Sequence, residues 1–259
     1  MATTVWVGIA AAFGFVLPLG ALLWWRRTRR AKWMPFLVGA LTFFLFALVL
    51  ESLLHGVVLL GNNPISRAIN GNPYLYMVYG GLAAGVFEET GRYLAFRFPL
   101  RRYYERVNAV AYGIGHGGFE AMVTLGASYV MNLVLLTYIH AGNYPAATAL
   151  AGGSAQKLAE LMAALGAITP GTCLLVMLER VSALALHIAL SIFVFLAARD
   201  KRQRSYFPFA IALHAIADMP AALYQRGLLP LGIVELWLAV FSLYTLRSAR
   251  KCFLEATDP

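Results

Sequence analysis

Four apolar segments of this sequence contain ionisable residues, which are rare inside membrane-length apolar runs and usually mark a functional site. In chain order they are Glu88, Glu89 and Arg92, then His116 and Glu120, then His187, and last His214 and Asp218. Glutamate and histidine together can activate water for attack on a carbonyl, the carboxylate acting as general base and the imidazole orienting the water or stabilising the oxyanion. Two or three histidines and a carboxylate could instead hold zinc with an open coordination position.

Several other hydrolytic classes lack their signatures here. The sequence has no His-Glu-x-x-His, no Gly-x-Ser-x-Gly and no Gly-Asp pair of the aspartyl intramembrane type. Its two cysteines, Cys173 and Cys252, are too few and too far apart in sequence for a disulfide framework or a zinc knuckle. Zinc proteases with the His-Glu-x-x-His motif, serine hydrolases and aspartyl intramembrane proteases are therefore disfavoured.

The elements that must position these residues are predicted to be membrane helices. Hydrophobic residues make up 60% of the 259 residues and charged residues 13%, and the mean hydropathy is +0.68. A soluble domain carries a charged fraction of about 25%. We therefore expect an all-α, polytopic transmembrane bundle that forms a single integral membrane domain over residues 1–259.

Seven apolar stretches reach the length of about 20 residues that crosses a bilayer. The predicted spans are Val5–Trp25, Trp33–Leu60, Tyr74–Phe98, Val107–Ile139, Thr172–Ala198, Tyr206–Tyr224 and Leu228–Leu246. The catalytic helices are expected within residues 74–224. The first stretch lacks a preceding positive charge and is too long for a cleavable signal, so it is interpreted as the first membrane helix.

Basic residues predict the orientation of the spans. Sixteen of the 21 lysines and arginines fall in four clusters, at residues 26–32, 97–106, 199–204 and 247–251, all on one predicted face. This asymmetry places the N-terminus outside and the C-terminus in the cytoplasm. Because the clusters flank membrane helices, the net charge of +9 does not indicate nucleic-acid binding. The compact basic loops favour a bacterial inner membrane.

The connection between the fourth and fifth spans is predicted to contain a short amphipathic helix on the outer surface. Ser154, Gln156, Lys157 and Glu160 lie on one side and Leu158, Leu161, Met162 and Leu165 on the other. A second polar group nearer the outer face comprises Glu51, His55, Glu179 and Arg180. We interpret this group as structural, with Glu51 or Glu179 pairing with Arg180, and Glu179 as a supporting residue near His187.

The polar residues of the four catalytic helices are predicted to meet in one layer. Counted from the predicted cytoplasmic end of each helix, Glu88, Glu120, His187 and His214 lie about 8 to 13 residues in, or roughly 12–20 Å deep. Successive helices run in opposite directions, so this agreement does not follow from sequence spacing alone. The layer is the strongest indication of a functional site.

Spacing within each helix suggests local pairs, because residues four apart share one helix face. The pairs are Glu88 with Arg92, His116 with Glu120, His187 with Ser191, and His214 with Asp218. Arg92, His116 and Ser191 are predicted to support the site. Glycines at positions 113, 115, 117 and 118 give the fourth span a bare flank that backbone or substrate can approach closely.

Taken in order, these residues resemble the YhfC-type family of bacterial intramembrane proteases. The resemblance rests on Glu88-Glu89-x-x-Arg92, a glycine-rich helix ending in Glu120, an isolated His187, and His214-x-x-x-Asp218, and it covers residues 80–220. It extends more distantly to the PrsW-like and CAAX-prenyl endopeptidase (glutamic, ABI) membrane proteases. The arginine departs from the CAAX-protease pattern, since it lies three residues after Glu89 instead of four.

The resemblance implies roles for these residues. Glu88 would activate the water, with Glu89 adjacent, and Glu120 would share that water. His187 and His214 would orient the water or bind the oxyanion, and Asp218 would take the place of an Asn or Asp helper. Zn²⁺, held by Glu88, Glu120, His187 and His214, and a metal-free glutamate mechanism both remain open.

The function predicted is intramembrane hydrolysis of a peptide bond in a membrane-protein or lipidated peptide substrate. One alternative is a proton- or metal-ion-coupled transporter that uses the same buried cluster as an ion site, and another is a non-catalytic binding or immunity protein that retains the fold. The absence of an internal repeat and the cytoplasmic depth of the layer disfavour a transporter. A Glu88→Gln variant separates protease from transporter, because a protease loses cleavage and a transporter loses ion-coupled flux.

Overall fold

The structure, a computed structural model, describes residues 2–255, which form helices and short connections with no strand among them. The helices are α1 Ala2–Arg29, α2 Trp33–Phe43, α3 Ser52–Val58, α4 Pro64–Gly71, α5 Pro73–Arg97, α6 Val107–Ala121, α7 Ser128–His140, α8 Tyr144–Leu150, α9 Ala155–Gly166, α10 Pro170–Arg199, α11 Tyr206–Gln225 and α12 Leu231–Glu255. Two π-helical segments, Phe44–Glu51 and Met122–Ala127, join α2 to α3 and α6 to α7. The all-helical prediction is confirmed.

Six helical segments are long and apolar enough to cross a membrane. They are Thr3–Arg29, Trp33–Val58, Val107–His140, Pro170–Arg199, Lys201–Gln225 and Leu231–Glu255. The third predicted span corresponds to α5, whose 25 residues have sufficient length. Its four charged residues, Glu88, Glu89, Arg92 and Arg97, make it less apolar than the other six, so the structure supports six of the seven predicted spans by length and hydropathy.

Helix α10 lies at the centre of the bundle. Of its most apolar 18-residue stretch, 83% is buried, whereas the corresponding share in the other five segments is 17–28%. The helix begins at a capping box in which the Thr169 hydroxyl accepts from the Thr172 backbone N–H and the Thr172 hydroxyl accepts from that of Thr169. Pro170 occupies the first turn, where no backbone donor is needed. His187 lies on this central helix and is buried in the interior of the bundle.

Glycines let α6 approach three other helices at backbone distance. A β-carbon at Gly115 would lie 2.1 Å from the Phe36 carbonyl oxygen of α2, and one at Gly118 would lie 2.7 Å from Pro18 of α1. On the remaining side, a β-carbon at Gly117 would lie 3.0 Å from the His187 side chain of α10. The predicted bare flank therefore packs against protein on several sides.

Helix α5 packs chiefly against α11. The two helices approach closely at Gly81 and Gly85, whose added β-carbons would lie 2.5 Å from the Ala215 carbonyl and 2.7 Å from the Ile211 carbonyl. This close contact brings Glu89 of α5 beside His214 of α11. Small residues at a helix interface allow such an approach.

Short helices occupy two of the connections between the long helices. Asn63 caps α4 by accepting from the Ser66 backbone N–H at 2.8 Å, and Asn143 caps α8 in the same way. In both helices the capping Asn is followed by Pro within two residues, which favours a helical first turn. The predicted amphipathic helix is present as α9, in which Leu158 and Leu165 are buried.

Candidate active site

Three histidines from three helices surround the Glu88 carboxylate. Nε2 of His116 lies 2.8 Å from Glu88 Oε2, Nδ1 of His187 lies 3.9 Å from the same oxygen, and Nε2 of His214 lies 3.9 Å from Oε1. The rings of His116 and His187 are 5.0 Å apart, and those of His187 and His214 are 5.4 Å apart. All four side chains are buried, so the predicted layer converges on Glu88.

The His214 ring is fixed by carboxylates on both sides. Its Nδ1 lies 2.7 Å from Oε1 of Glu89, which is fully buried. Its Nε2 lies 3.4 Å from Oδ2 of Asp218, one turn further along α11. A carboxylate that accepts from Nδ1–H sets the tautomer and leaves Nε2 available to a ligand.

Arg92 is a fully buried guanidinium that links α5 to α10. Its Nη1 donates to the His187 backbone carbonyl at 3.2 Å, and its Nη2 donates to His187 Nδ1 at 3.0 Å. Nη2 also lies 3.5 Å from Glu89 Oε1. The charge partner of Arg92 is therefore Glu89, three residues away, and not Glu88 as the spacing of four predicted.

A second ionic group lies on the far side of His187. Nε2 of His187 is 2.6 Å from Oε2 of Glu120, whose Oε1 accepts from Arg180 Nη1 at 2.7 Å. Arg180 also donates to the Thr124 hydroxyl at 2.8 Å and forms an ion pair with Glu179. The predicted pairing of Glu179 with Arg180 is present. Glu179 reaches His187 only through this chain of contacts.

The donor set of the site fits a divalent metal ion. Glu88, His187 and His214 each offer one ligand atom, and these atoms lie within 4.8 Å of one another. Two imidazoles and one carboxylate with a fourth position open is a ligand set of catalytic zinc, in which neighbouring ligand atoms are about 3.3 Å apart. Small side-chain movements would close the remaining distance. Binding at His187 Nδ1 would replace the hydrogen bond from Arg92.

Glu120 stands outside this ligand set. The sequence grouped it with Glu88, His187 and His214 as a fourth metal ligand, but its carboxylate is directed to Arg180 and to the opposite nitrogen of His187. It therefore lies one side chain further from Glu88.

Besides Glu88 with Arg92, two further predicted pairs do not form within their own helix. His116 contacts Glu88 and not Glu120, although His116 and Glu120 share α6. The Ser191 hydroxyl donates to the His187 backbone carbonyl at 2.6 Å and does not touch the ring. Only His214 and Asp218 pair as the spacing predicted. His116 therefore contacts Glu88 directly at the centre of the site, although the sequence predicted only a supporting role for it.

The outer polar residues of the second span form a separate group. Glu51 Oε1 lies 3.2 Å from His55 Nε2, and His55 Nδ1 lies 2.7 Å from the Tyr79 hydroxyl of α5. Glu51 ends the π-helical segment and is its one buried residue. The sequence did not single out Tyr79 or Thr124, because a lone hydroxyl in an apolar run has no spacing pattern to identify it.

The chain matches a described protein family over most of its length. The family described as YhfC intramembrane metalloprotease matches residues 13–238. The uncharacterized membrane protein YhfC of Bacillus subtilis (strain 168) is 35% identical over 253 residues, which cover 96% of this chain and 97% of that protein. No solved structure matches. With six membrane-length apolar segments, the chain is an integral membrane protein.

Proposed function

The chain belongs to the YhfC family of intramembrane metalloproteases, and from this premise we propose that it is an endopeptidase that cleaves a peptide bond within the membrane. The substrate class is a membrane protein or a lipidated peptide. The observation that carries the proposal is the convergence of His116, His187 and His214 on the buried Glu88 carboxylate.

Glu88, His187 and His214 would hold a divalent cation, with Zn²⁺ the ion that this donor set suits best. The ion would polarise the scissile carbonyl and lower the pKa of the attacking water. Asp218 is the carboxylate best placed to accept the proton of that water, because it lies beside His214 Nε2 and its side chain is 37% exposed. Glu88, implied as the base by the family resemblance, serves here as a ligand.

The remaining polar residues position this set. Glu89 holds His214 Nδ1, and Arg92 balances the Glu89 charge while it holds the His187 backbone. His116 orients Glu88 by its contact with Oε2. Glu120 and Arg180 hold the outer nitrogen of His187. Each contact fixes one ring or carboxylate, as the partners of metal ligands commonly do.

The membrane arrangement is part of the proposal. Helix α5 brings the number of spans to seven and is the third of them in chain order. Its Glu88, Glu89 and Arg92 face the bundle interior, where partners offset the cost of burial. The N-terminus lies outside and the C-terminus in the cytoplasm, since the four basic clusters share one face. A bacterial inner membrane suits this arrangement, and the B. subtilis relative is named a membrane protein.

Metal content is the first test, and it requires no knowledge of the substrate. Protein purified in mild detergent is expected to contain near-stoichiometric zinc, and Glu88→Gln and His187→Ala to lose it. His140→Ala is the matched control, because His140 is exposed at the end of α7 and remote in sequence from the site. A metal content that is the same in all four proteins would contradict the ligand assignment.

Cleavage is the second test and separates a protease from a carrier. We expect wild type to cleave members of a membrane-peptide library and Glu88→Gln to cleave none. The variant should still bind the peptides that wild type cleaves. Zinc-dependent ion flux in vesicles with no cleavage product would instead support the transporter alternative.

A further inference from the structure

A polar cavity lies beside the candidate active site. It has a volume of about 240 Å³ and lies between the second span, α5 and α11. Its lining includes Glu51, His55, Tyr79, Gly80 and Asp218, which are mostly polar although they lie within membrane-length helices. Such a lining is costly next to lipid and needs water or polar partners.

The inner end of the cavity lies at Asp218, beside the candidate active site. Asp218 lines the cavity and lies 3.4 Å from His214 Nε2, the nitrogen that faces Glu88. Its side chain is 37% exposed even though it is the thirteenth residue of the 20-residue helix α11. A carboxylate exposed at mid-helix must face either lipid or water, and only water solvates it.

The outer end lies where three helices terminate. Leu59, Tyr76 and Gln225 line it, at the end of α3, the start of α5 and the end of α11. The Tyr76 hydroxyl donates to Gln225 Oε1 at 2.8 Å, and the Arg226 guanidinium lies 3.8 Å from the Tyr76 ring centroid. These helix ends are opposite the basic clusters, which lie at the other ends of the same helices.

The otherwise unexplained polar residues of the second span line the passage between these two ends. The π-helical segment directs Glu51 inward, and Glu51, His55 and Tyr79 form a continuous set of contacts at 3.2 Å and 2.7 Å. None of the three touches Glu88, so the chemistry described above does not require them. A polar wall beside a buried hydrolytic site can hold the water that hydrolysis consumes.

We propose that this cavity is the hydrated route by which water reaches the active site, and that it opens on the face opposite the basic loops. Glu51, His55 and Tyr79 keep the route wet by offering hydrogen-bonding groups along its wall. Hydrolysis consumes one water per bond cleaved, so a site buried among apolar helices needs such a supply. The inference rests on the proposed function for its purpose, but the hydration of the cavity is tested independently.

Gly80 provides the test position. A β-carbon added there would meet only the Ala222 β-carbon at 3.7 Å, an ordinary contact, so Gly80→Cys fits without distortion. Leu82→Cys is the matched control, two residues away on α5 and 44% exposed on the outer surface of the bundle. Both are made with Cys173→Ser and Cys252→Ser. A membrane-impermeant charged maleimide is added to sealed vesicles from either side.

The expected result is labelling of Gly80→Cys from the face opposite the basic loops and none of Leu82→Cys, because the thiolate is the reacting form and requires water. Adding Glu51→Leu should slow the labelling by about tenfold by removing the buried carboxylate from the wall, whereas Glu51→Gln should preserve it. Failure of Gly80→Cys to label, or labelling only from the basic-loop face, would overturn the proposal.

Cleavage provides the second readout. Unlabelled Gly80→Cys is expected to cleave normally and labelled protein to lose cleavage with its zinc retained. Labelled protein that still cleaves at the normal rate would overturn the route. If Gly80→Cys labels as expected and no protein cleaves any peptide, the hydrated cavity stands and the proposed function fails.

Discussion

Arg92 holds His187 at two points, its Nη1 donating to the backbone carbonyl at 3.2 Å and its Nη2 to the ring nitrogen Nδ1 at 3.0 Å. One guanidinium thus fixes both the position of α10 relative to α5 and the rotation of a candidate catalytic ring. Lysine cannot reproduce this, because it lacks the planar fork that reaches two acceptors at once.

Replacing Arg92 should be strongly destabilising. Arg92→Met leaves the Glu89 carboxylate buried without its cation, and removing one member of a buried pair costs about 3–5 kcal/mol. The measurement is the free energy of unfolding in detergent micelles. The control is Arg67→Met, an exposed position on α4, where a change within about 0.5 kcal/mol is expected. Equal effects at the two positions would contradict the structural role of Arg92.

Replacing Glu89 should weaken the site through His214. Glu89→Gln replaces the charged carboxylate that fixes the His214 tautomer with a neutral amide, a weaker acceptor, so zinc affinity should fall by about 10- to 100-fold, the usual effect of losing such a partner. Competition with a zinc chelator measures the affinity. Glu89→Asp, which keeps a charged carboxylate, should retain more of it than Glu89→Gln. An unchanged affinity in Glu89→Gln would show that Glu89 serves only to neutralise Arg92.

Replacing His116 distinguishes a positioning residue from a ligand. His116→Phe removes the 2.8 Å contact with Glu88 and keeps a ring beside Phe43, which packs edge-on against His116 at 5.3 Å. We expect zinc affinity to fall by about tenfold, as for a group that orients a ligand, and cleavage to fall with it. Complete loss of zinc at saturating metal would instead make His116 a ligand.

Replacing Gly117 tests whether the bare flank of α6 positions His187. The Gly117→Ala β-carbon would lie 3.0 Å from His187 Cβ and Cδ2. The ring must move, so cleavage should fall, with about 1–3 kcal/mol lost from overpacking. Gly20→Ala in α1 is the control, since its β-carbon meets nothing within 4 Å and should stabilise the helix by up to about 1 kcal/mol. Equal activity in both variants would contradict this role.

Much of the local structure and the common level of the site residues along their helices followed from the sequence. Apolar length predicted the helices, because a segment without backbone partners in lipid must satisfy its own hydrogen bonds. The polar and apolar sides of residues 154–165 predicted α9, which begins where the Ser154 hydroxyl accepts from the Lys157 backbone N–H, a contact between neighbours in sequence. The common depth of Glu88, His187 and His214 also followed, because the axial rise of a helix is fixed for every sequence.

The partners of those residues were decided only by the tertiary structure. Spacing of four places two residues on one face but does not say which neighbouring helix that face meets, since the rotation of a helix about its axis depends on packing. Here close glycine contacts set that rotation and turn His116 to Glu88, Arg92 to His187, and Glu120 to Arg180. The sequence by itself determined which ionisable groups share a level, and the packing of the bundle determined which of them meet.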